Sequence, residues 1–431
     1  VGAIYGGSRS AILLNIPGTP ANAASALDGF PMARSGKAGE ALGIATIGSF
    51  AGSLVGMVLL VLIAPELAEA GLKFQSFEFV WLAIFGVVIS GRLTATSDPI
   101  KGWIAGFLGL LLAQVGQEGI HAYQRFAYVP EMAGGLGLLP ALVGAFGFAE
   151  VLMVMRQAKY EIIKDAGARL LPRLGETIRR SWLMLRSGAI GTAMGIIQGV
   201  GEDMGAWVSY AAARRASPTP ERFGKGAPDG LMAAEAGNSA AVPGAIIPVL
   251  TLAVPGSAPA AVLLAAMFIH GVRPGPMILI QSPAFIFEVA AMLFWASLAI
   301  MLLGLVLARP MLTVLQVPRA LLMPVVFTLC VVGSFAIASR VFDIYVMLGF
   351  GLLGFALRLM HYPIAPLVLG IVLGEMLDRN FRRGMVLSDG SLEPLFTRPI
   401  CAVLAAVTLL VLVWDLPPFA RARAALLERF R

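Results

Sequence analysis

Two short stretches carry the residue types that could do chemistry in an otherwise apolar chain. In "NIPGTPANAASALDG" (residues 15–29), Asn15, Pro17, Gly18, Thr19 and Asn22 follow closely on Gly6, Gly7, Ser8, Arg9 and Ser10. In "AVPGSAPAAVLLAA" (residues 253–266), Pro255, Gly256 and Ser257 repeat the same order, downstream of Asn238. Proline removes a backbone donor and clashes with the preceding turn, and glycine adopts conformations that end a helix. Each Pro-Gly-hydroxyl run therefore predicts an interrupted helix. A half-helix N-terminus presents unpaired N–H groups and the positive end of the helix dipole, which suits an anion and above all a carboxylate. Neighbouring hydroxyls and amides (Ser8, Ser10, Asn15, Thr19 and Asn22 at one break, Asn238, Ser239, Thr251 and Ser257 near the other) add donors. Arg9 offers either a two-pronged pair to a carboxylate or a structural ion pair with Asp28.

Three acids stand in similar surroundings. Glu202 and Asp203 sit in the glycine-interrupted "GIIQGVGEDMGAWVSY" (residues 195–210), and Glu235 lies one turn before Asn238. Charges at membrane depth are rare and mark functional sites, so all three are candidates to hold a coupling ion, Na⁺ or H⁺. Glu235 has a helix cap as its alternative role, and Glu202 and Asp203 a merely wet re-entrant tip. His121, His270 and His361 are too scattered to form a metal cluster. No GxxxxGK[ST] loop and no GxSxG elbow occurs. Intrinsic ATP hydrolysis and serine-nucleophile chemistry are not expected, nor is a bound cofactor.

The elements that must position these residues are membrane helices. Of 431 residues, 58% are hydrophobic and 13% charged, with a mean hydropathy of +0.84. Soluble domains carry about 25% charge. Runs such as 42–63, 285–307, 321–339 and 402–414 are apolar enough to cross, or nearly cross, a hydrocarbon core of about 30 Å. The ~10-residue alternation of a β-barrel is absent. Spans are predicted near 40–63, 78–95, 100–116, 136–155, 284–308, 320–339, 342–359, 362–378 and 399–417. The net charge of +7 is concentrated in the connections, as the positive-inside bias requires, and does not signal nucleic acid. Cys330 and Cys401 fall in spans and are too few for a disulfide framework.

Residues 156–186 hold eight Lys or Arg against three acids and must face the cytoplasm. Counting outward from this linker, the span after the first break begins inside, whereas the span after the second begins outside. At an offset of 238, Gly6 meets Gly244, Leu14 meets Leu252, Pro17-Gly18 meets Pro255-Gly256, and Thr19 meets Ser257. Inverted repeats with discontinuous helices are characteristic of secondary transporters. The predicted fold class is an all-α polytopic membrane protein of two inverted structural repeats with discontinuous helices and re-entrant segments. Its parts are a first repeat (1–155), a basic cytoplasmic linker (156–186), a second repeat (187–397), and a final helix with a basic tail (398–431). The opening "VGAIYGG" lies within a patterned segment, so further residues are expected upstream. One region fits poorly: the count puts 379–398 outside despite four arginines, unless 362–378 is re-entrant. The glycines of "GSFAGSLVG" (residues 48–56) read as helix-packing positions.

"GAIYGGSRSAILLNIPGTPANAASALDGFPMARSGKAGEAL" (residues 2–42) and "FGKGAPDGLMAAEAGNSAAVPGAIIPVLTLAVPGSAPAAVLLAAMFIHGVRPGP" (residues 223–276) resemble the large permease subunit of tripartite tricarboxylate transporters. The likeness extends over essentially the whole chain. It implies a bacterial inner-membrane, multi-pass permease that works with a small four-helix membrane subunit and a periplasmic solute-binding protein. Such a system takes up a tricarboxylate, dicarboxylate or aromatic acid on an ion gradient, without ATP. By motif, the resemblance implies substrate contacts at residues 6–10, Asn15, residues 17–19, Asn238 and residues 255–257. Two departures stand out. An earlier segment with its own Pro-Gly turn is lacking, and the second-half turn that often reads PGxGG is here "QGVGEDMG" (residues 198–205). Alternating access would come from moving the site-bearing unit against a scaffold. A homo-oligomer is compatible with this reading. A membrane-embedded enzyme acting on an acidic metabolite and a passive anion channel are the rival classes.

Overall fold

The computed structural model describes residues 1–15, 18–19, 21–94, 98–118, 123–156, 174–197, 201–255, 257–308, 310 and 319–414. Pro17 and Gly256 fall outside these residues, as do the side chains of Glu202 and Asp203.

The chain opens with α1 (Gly2–Leu14), α2 (Asn22–Met32) and α3 (Ala38–Gly71). A wide π-type turn, Ala33–Lys37, joins α2 to α3, and Gly36 within it takes φ 82°, which a side chain would disfavour. Next come α4 (Ser76–Thr94), α5 (Pro99–Leu112) and a small antiparallel hairpin of β1 (Gly116–Gln117) and β2 (Gln124–Arg125) with Gly116 opposite Arg125. α6 (Leu138–Leu142) runs through a second π-type turn, Val143–Phe148, into α7 (Ala149–Arg156). Then follow α8 (Leu174–Arg179), α9 (Ser181–Ile196), α10 (Gly201–Ala216), α11 (Pro228–Leu252), α12 (Ala258–Ile269), α13 (Ile278–Gln281) and α14 (Phe285–Val306). The C-terminal part holds α15 (Arg319–Ala338), α16 (Val341–Leu359), α17 (Ile364–Leu387), α18 (Pro394–Thr397) and α19 (Pro399–Trp414). Each predicted span coincides with helix over most of its described residues, although that predicted over 100–116 leaves helix after Leu112 and ends in β1.

Among the described residues, five helical stretches are long and apolar enough to cross a membrane: 22–71, 76–94, 138–156, 285–306 and 341–359. α14 shows why this is a membrane protein. Phe287, Met292, Trp295, Leu302, Leu303 and Val306 all stand exposed along it, an apolar face that water would not tolerate at this extent.

The helices divide into two compact units, each assembled from two separate pieces of chain: Val1–Leu72 with Val154–Pro324, and Lys73–Met153 with Val325–Arg431. The first unit is organised around α11, almost every residue of which is buried from Gly230 to Leu252. Small residues allow this. Gly52 of α3 lies against the backbone of Ala236, and Gly191 of α9 against that of Gly237, leaving no room for a Cβ at either. Close backbone approach through small residues is how helices associate where no hydrophobic driving force separates them from lipid, and the glycines of 48–56 serve this packing.

In the second unit, Trp81 Nε1 donates to the Leu395 carbonyl at 2.8 Å and Trp103 Nε1 to that of Val88 at 3.0 Å. Three of the four arginines in 379–398 are met by acids. Arg379 pairs with Glu375 at 2.6 Å, Arg382 with Asp378 at 3.1 Å, and Arg398 with the buried Glu78 at 2.6 Å.

Candidate functional site

Both predicted interruptions are present, and they have the same backbone form. α1 ends on Asn15 at φ 54°, ψ 35°, and α11 ends on Ala253 at φ 55°, ψ 32°. The two positions are 253 − 15 = 238 residues apart, the offset of the sequence alignment. Each helix thus closes on a left-handed residue before a new one starts, as helices commonly do. α12 restarts at Ser257, whose Oγ accepts from the Ala260 N–H at 3.3 Å. α2 restarts at Asn22, whose N–H lies 3.0 Å from the Thr19 carbonyl and 3.4 Å from Thr19 Oγ1.

The first restart doubles back along α1. Gly18 lies against Gly7, where a Cβ on Gly18 would sit 2.7 Å from Gly7 Cα. Asn22 Nδ2 then reaches the carbonyl of Ile4 at 3.3 Å. α2 therefore begins beside the middle of α1, inside the protein, with Asn22 fully buried. The first-turn N–H groups of a helix have no i−4 partner within it; here those of Asn22 and Ala24 turn to the carbonyls of Thr19 and Ala21 at 3.0 and 3.1 Å, within the packed interior of an apolar chain.

Around this N-terminus sits a cluster of buried polar side chains. Asn22 Oδ1 accepts from Asn238 Nδ2 at 2.8 Å. Ser8 Oγ lies 3.1 Å from Asn22 Oδ1 and 3.0 Å from Glu235 Oε2, and its single proton serves one of them at a time. Ser49 Oγ donates to Glu235 Oε2 at 2.8 Å. Ser8, Asn22, Ser25, Ser49, Glu235 and Asn238 are all at most 1% exposed. Burying this many polar groups in a chain so apolar is costly unless they are partnered or serve a ligand.

The other candidates divide by what they touch. Arg9 is buried and donates through Nη2 to the Tyr5 hydroxyl and the Gly304 carbonyl, with its guanidinium 4.6 Å from the Tyr5 ring centroid. Tyr5 OH in turn lies 2.6 Å from Thr46 Oγ1. Asp28 binds elsewhere: its Oδ1 accepts from the N–H groups of Gly224, Gly226 and Ala227, each at 2.8 Å, fixing the loop that leads into α11. Ser10 Oγ back-bonds to the Gly7 carbonyl at 2.9 Å. Gly6 faces open space. Asn15 is exposed and edges an open hollow of about 290 Å³ lined by Ala23, Ala26, Leu27, Phe30 and Pro31. Gly18 is exposed, Thr19 half-buried, Pro255 buried and Ser257 half-buried. Ala260, the residue capped by Ser257, packs in an apolar cluster with Leu60, Ala245, Leu250 and Leu264.

The structure thus gathers Ser8, Asn22, Glu235 and Asn238 at one place, and adds Ser25 and Ser49. Ser25 lies one turn after Asn22, a spacing that could have flagged it. Ser49 was hidden by the glycines around it, which pack.

Residues 1–369 match the model of the "Tripartite tricarboxylate transporter TctA family". The chain belongs to this family. As a TctA-family protein it is a multi-pass membrane component of a transporter, the large subunit of a tripartite system. An "Uncharacterized 52.8 kDa protein in TAR-I ttuC' 3'region" of Agrobacterium vitis is 35% identical over 427 residues, covering 98% of this chain and 84% of that protein. An "Uncharacterized protein in TAR-II ttuC' 3'region" of the same organism is 31% identical over 233 residues, 54% of this chain and 96% of that protein. No solved structure matches the chain. In this TctA-family chain the residues gathered at the start of α2 are donors and hard oxygen acceptors side by side, an arrangement that can hold an anion and a cation together.

Proposed function

We propose that the protein is the permease of secondary-active carboxylate uptake across the bacterial inner membrane. A tricarboxylate, dicarboxylate or aromatic acid is delivered by a periplasmic solute-binding protein, with a small four-helix membrane subunit as partner. A Na⁺ or H⁺ gradient drives accumulation. The carboxylate sits at the N-terminus of α2, held by first-turn N–H groups with Thr19 and Asn22, and the N-terminus of α12 at Ser257 supplies the equivalent element of the second repeat. One observation carries this reading: α2 starts inside the protein, beside Gly7 and bonded to Asn238, so its positive end faces a buried polar cluster. The inverted-repeat reading draws support from the matched ends at Asn15 and Ala253, and from each compact unit containing one piece from either half of the chain.

The test is uptake of a radiolabelled carboxylate into proteoliposomes holding the complete tripartite assembly, under imposed Na⁺ or H⁺ gradients. Accumulation above the bath concentration that vanishes when the gradient is collapsed supports the reading. Downhill flux indifferent to the gradient would make the protein a channel, and chemical conversion of the acid in detergent without any gradient would make it an enzyme.

A further inference from the structure

The polar cluster contains more oxygen acceptors than donors. Glu235 Oε2 is met by the hydroxyls of Ser8 and Ser49, but Glu235 Oε1 has no hydrogen-bond partner among the described residues. Asn238 Oδ1 and Ser25 Oγ are likewise buried and unpartnered there.

The amide orientations follow from the network and are not free choices. A backbone carbonyl only accepts, so the end of Asn22 facing Ile4 must be Nδ2. Asn22 therefore turns Oδ1 towards Asn238, which must present Nδ2 to it. The remaining end of Asn238 is then an oxygen.

Helix register brings these atoms together. α2 and α11 run past each other so that Asn22 bonds Asn238, and a Cβ on Gly29 would lie 3.4 Å from Leu231 Cδ1. Between these two contacts, Ser25 falls at the level of Glu235, whose carboxyl its hydroxyl faces. Glu235 and Asn238 are one turn apart on the same helix, and residues at that spacing share a face. A carboxylate oxygen, an amide oxygen and a hydroxyl oxygen thus come from facing levels of two packed helices, all three residues fully buried.

We propose that Glu235, Asn238 and Ser25 form the binding site of one dehydrated sodium ion, the coupling ion of the transport reaction. This rests on the carboxylate-permease reading and names its cation. A proton on Glu235 would bridge its oxygen to one neighbouring acceptor, whereas a metal ion engages all three at once. Hard oxygen ligands select s-block cations over transition metals, and a lone carboxylate matches one positive charge better than two. Among the described residues, Arg9 is a charged group whose field reaches this carboxyl, and its Nη2 is engaged by Tyr5 and Gly304.

The geometry also supplies the coupling. A cation on Asn238 Oδ1 polarises the amide and strengthens the Nδ2 bond to Asn22, the first residue of α2. Sodium binding therefore steadies the helix end that holds the carboxylate, and by linkage the carboxylate tightens sodium.

The experiment uses the full chain purified in detergent, with thermal unfolding followed in NaCl, KCl and choline chloride at constant ionic strength, at pH 6 and pH 8. Sodium alone is the probe. A ligand that binds only the folded form raises the melting temperature with concentration. The expected result is a saturable rise in NaCl but not in KCl or choline, lost in Glu235→Gln. Ser25→Ala removes one proposed ligand, a hydroxyl that faces the Glu235 carboxyl, and changes little volume, so it should fold and should weaken sodium by about tenfold, the loss of one charge-assisted contact. No sodium-specific rise in the wild type, a rise undiminished in both variants, or a stability that follows pH and ignores sodium overturns the site. In those cases uptake driven by a proton gradient would leave the permease reading standing. Sodium binding without carboxylate uptake would do the reverse.

Discussion

Asn238 Nδ2 donates to Asn22 Oδ1 across 2.8 Å, tying the first residue of α2 to the middle of α11. The bond joins two segments 216 positions apart in the sequence, one from each proposed repeat. It fixes where α2 begins, and hence where its first-turn N–H groups lie. A buried polar group left without its partner costs about 1–3 kcal/mol. Asn22→Ala and Asn238→Ala should each lower uptake at sub-saturating substrate by about tenfold or more. Because the two residues share one bond, the double variant should be much less than additive. Initial uptake rates across the four proteins check this, with monodispersity in detergent as the control for folding.

Gly6 and Gly7 are neighbours with opposite surroundings. Gly7 is packed against Gly18 and Asn22, while Gly6 faces open space. Gly7→Ala should force the doubled-back segment away from α1 and lower the melting temperature. Gly6→Ala should leave stability unchanged or improve it slightly, since alanine is favoured over glycine in a helix by about 1 kcal/mol. If Gly6 touches substrate, its variant nevertheless transports poorly. Melting curves and uptake measured on both variants separate packing from contact.

Asn15 combines a left-handed backbone with a side chain exposed beside the α2 hollow. Asn15→Gly keeps the backbone conformation and removes the amide, whereas Asn15→Ala also strains the helix end by about 1 kcal/mol. Uptake lost in both marks the amide as functional, which is the expected outcome; rescue by glycine would assign Asn15 to helix termination alone. Ser257→Ala, which removes the cap of α12 at a typical cost of about 1 kcal/mol, should also abolish uptake while leaving the protein folded.

Much of this architecture was legible in the sequence because lipid imposes few solutions. Long apolar runs must be helices, and Pro-Gly within them must break one, so the spans and both interruptions could be read directly. The same offset of 238 separates the two left-handed residues, Asn15 and Ala253, which only the structure shows. What could not be read was depth. Asn22 looked like one polar residue among several near the first break, and only the return of Gly18 to Gly7 carries it to the centre of α1. Likewise Ser49 lay among packing glycines, and nothing local says that its hydroxyl turns to Glu235. Arg9 and Asp28 looked like natural partners. They separate because Asp28 is taken by three backbone N–H groups of residues 224–227, a demand set by a loop roughly 200 positions away.

The central claim is that a carboxylate occupies the buried start of α2, and labelling of a cysteine placed at Thr19 tests it most directly. Both native cysteines, Cys330 and Cys401, are buried, so a water-borne thiol reagent should report the introduced group. With Thr19→Cys in the full chain, a transported carboxylate should slow labelling in proportion to its occupancy. Labelling of a control cysteine at the exposed Asp389 should not change. Equal labelling of Thr19→Cys with and without saturating carboxylate, in protein that still transports it, would place the substrate elsewhere and contradict the account.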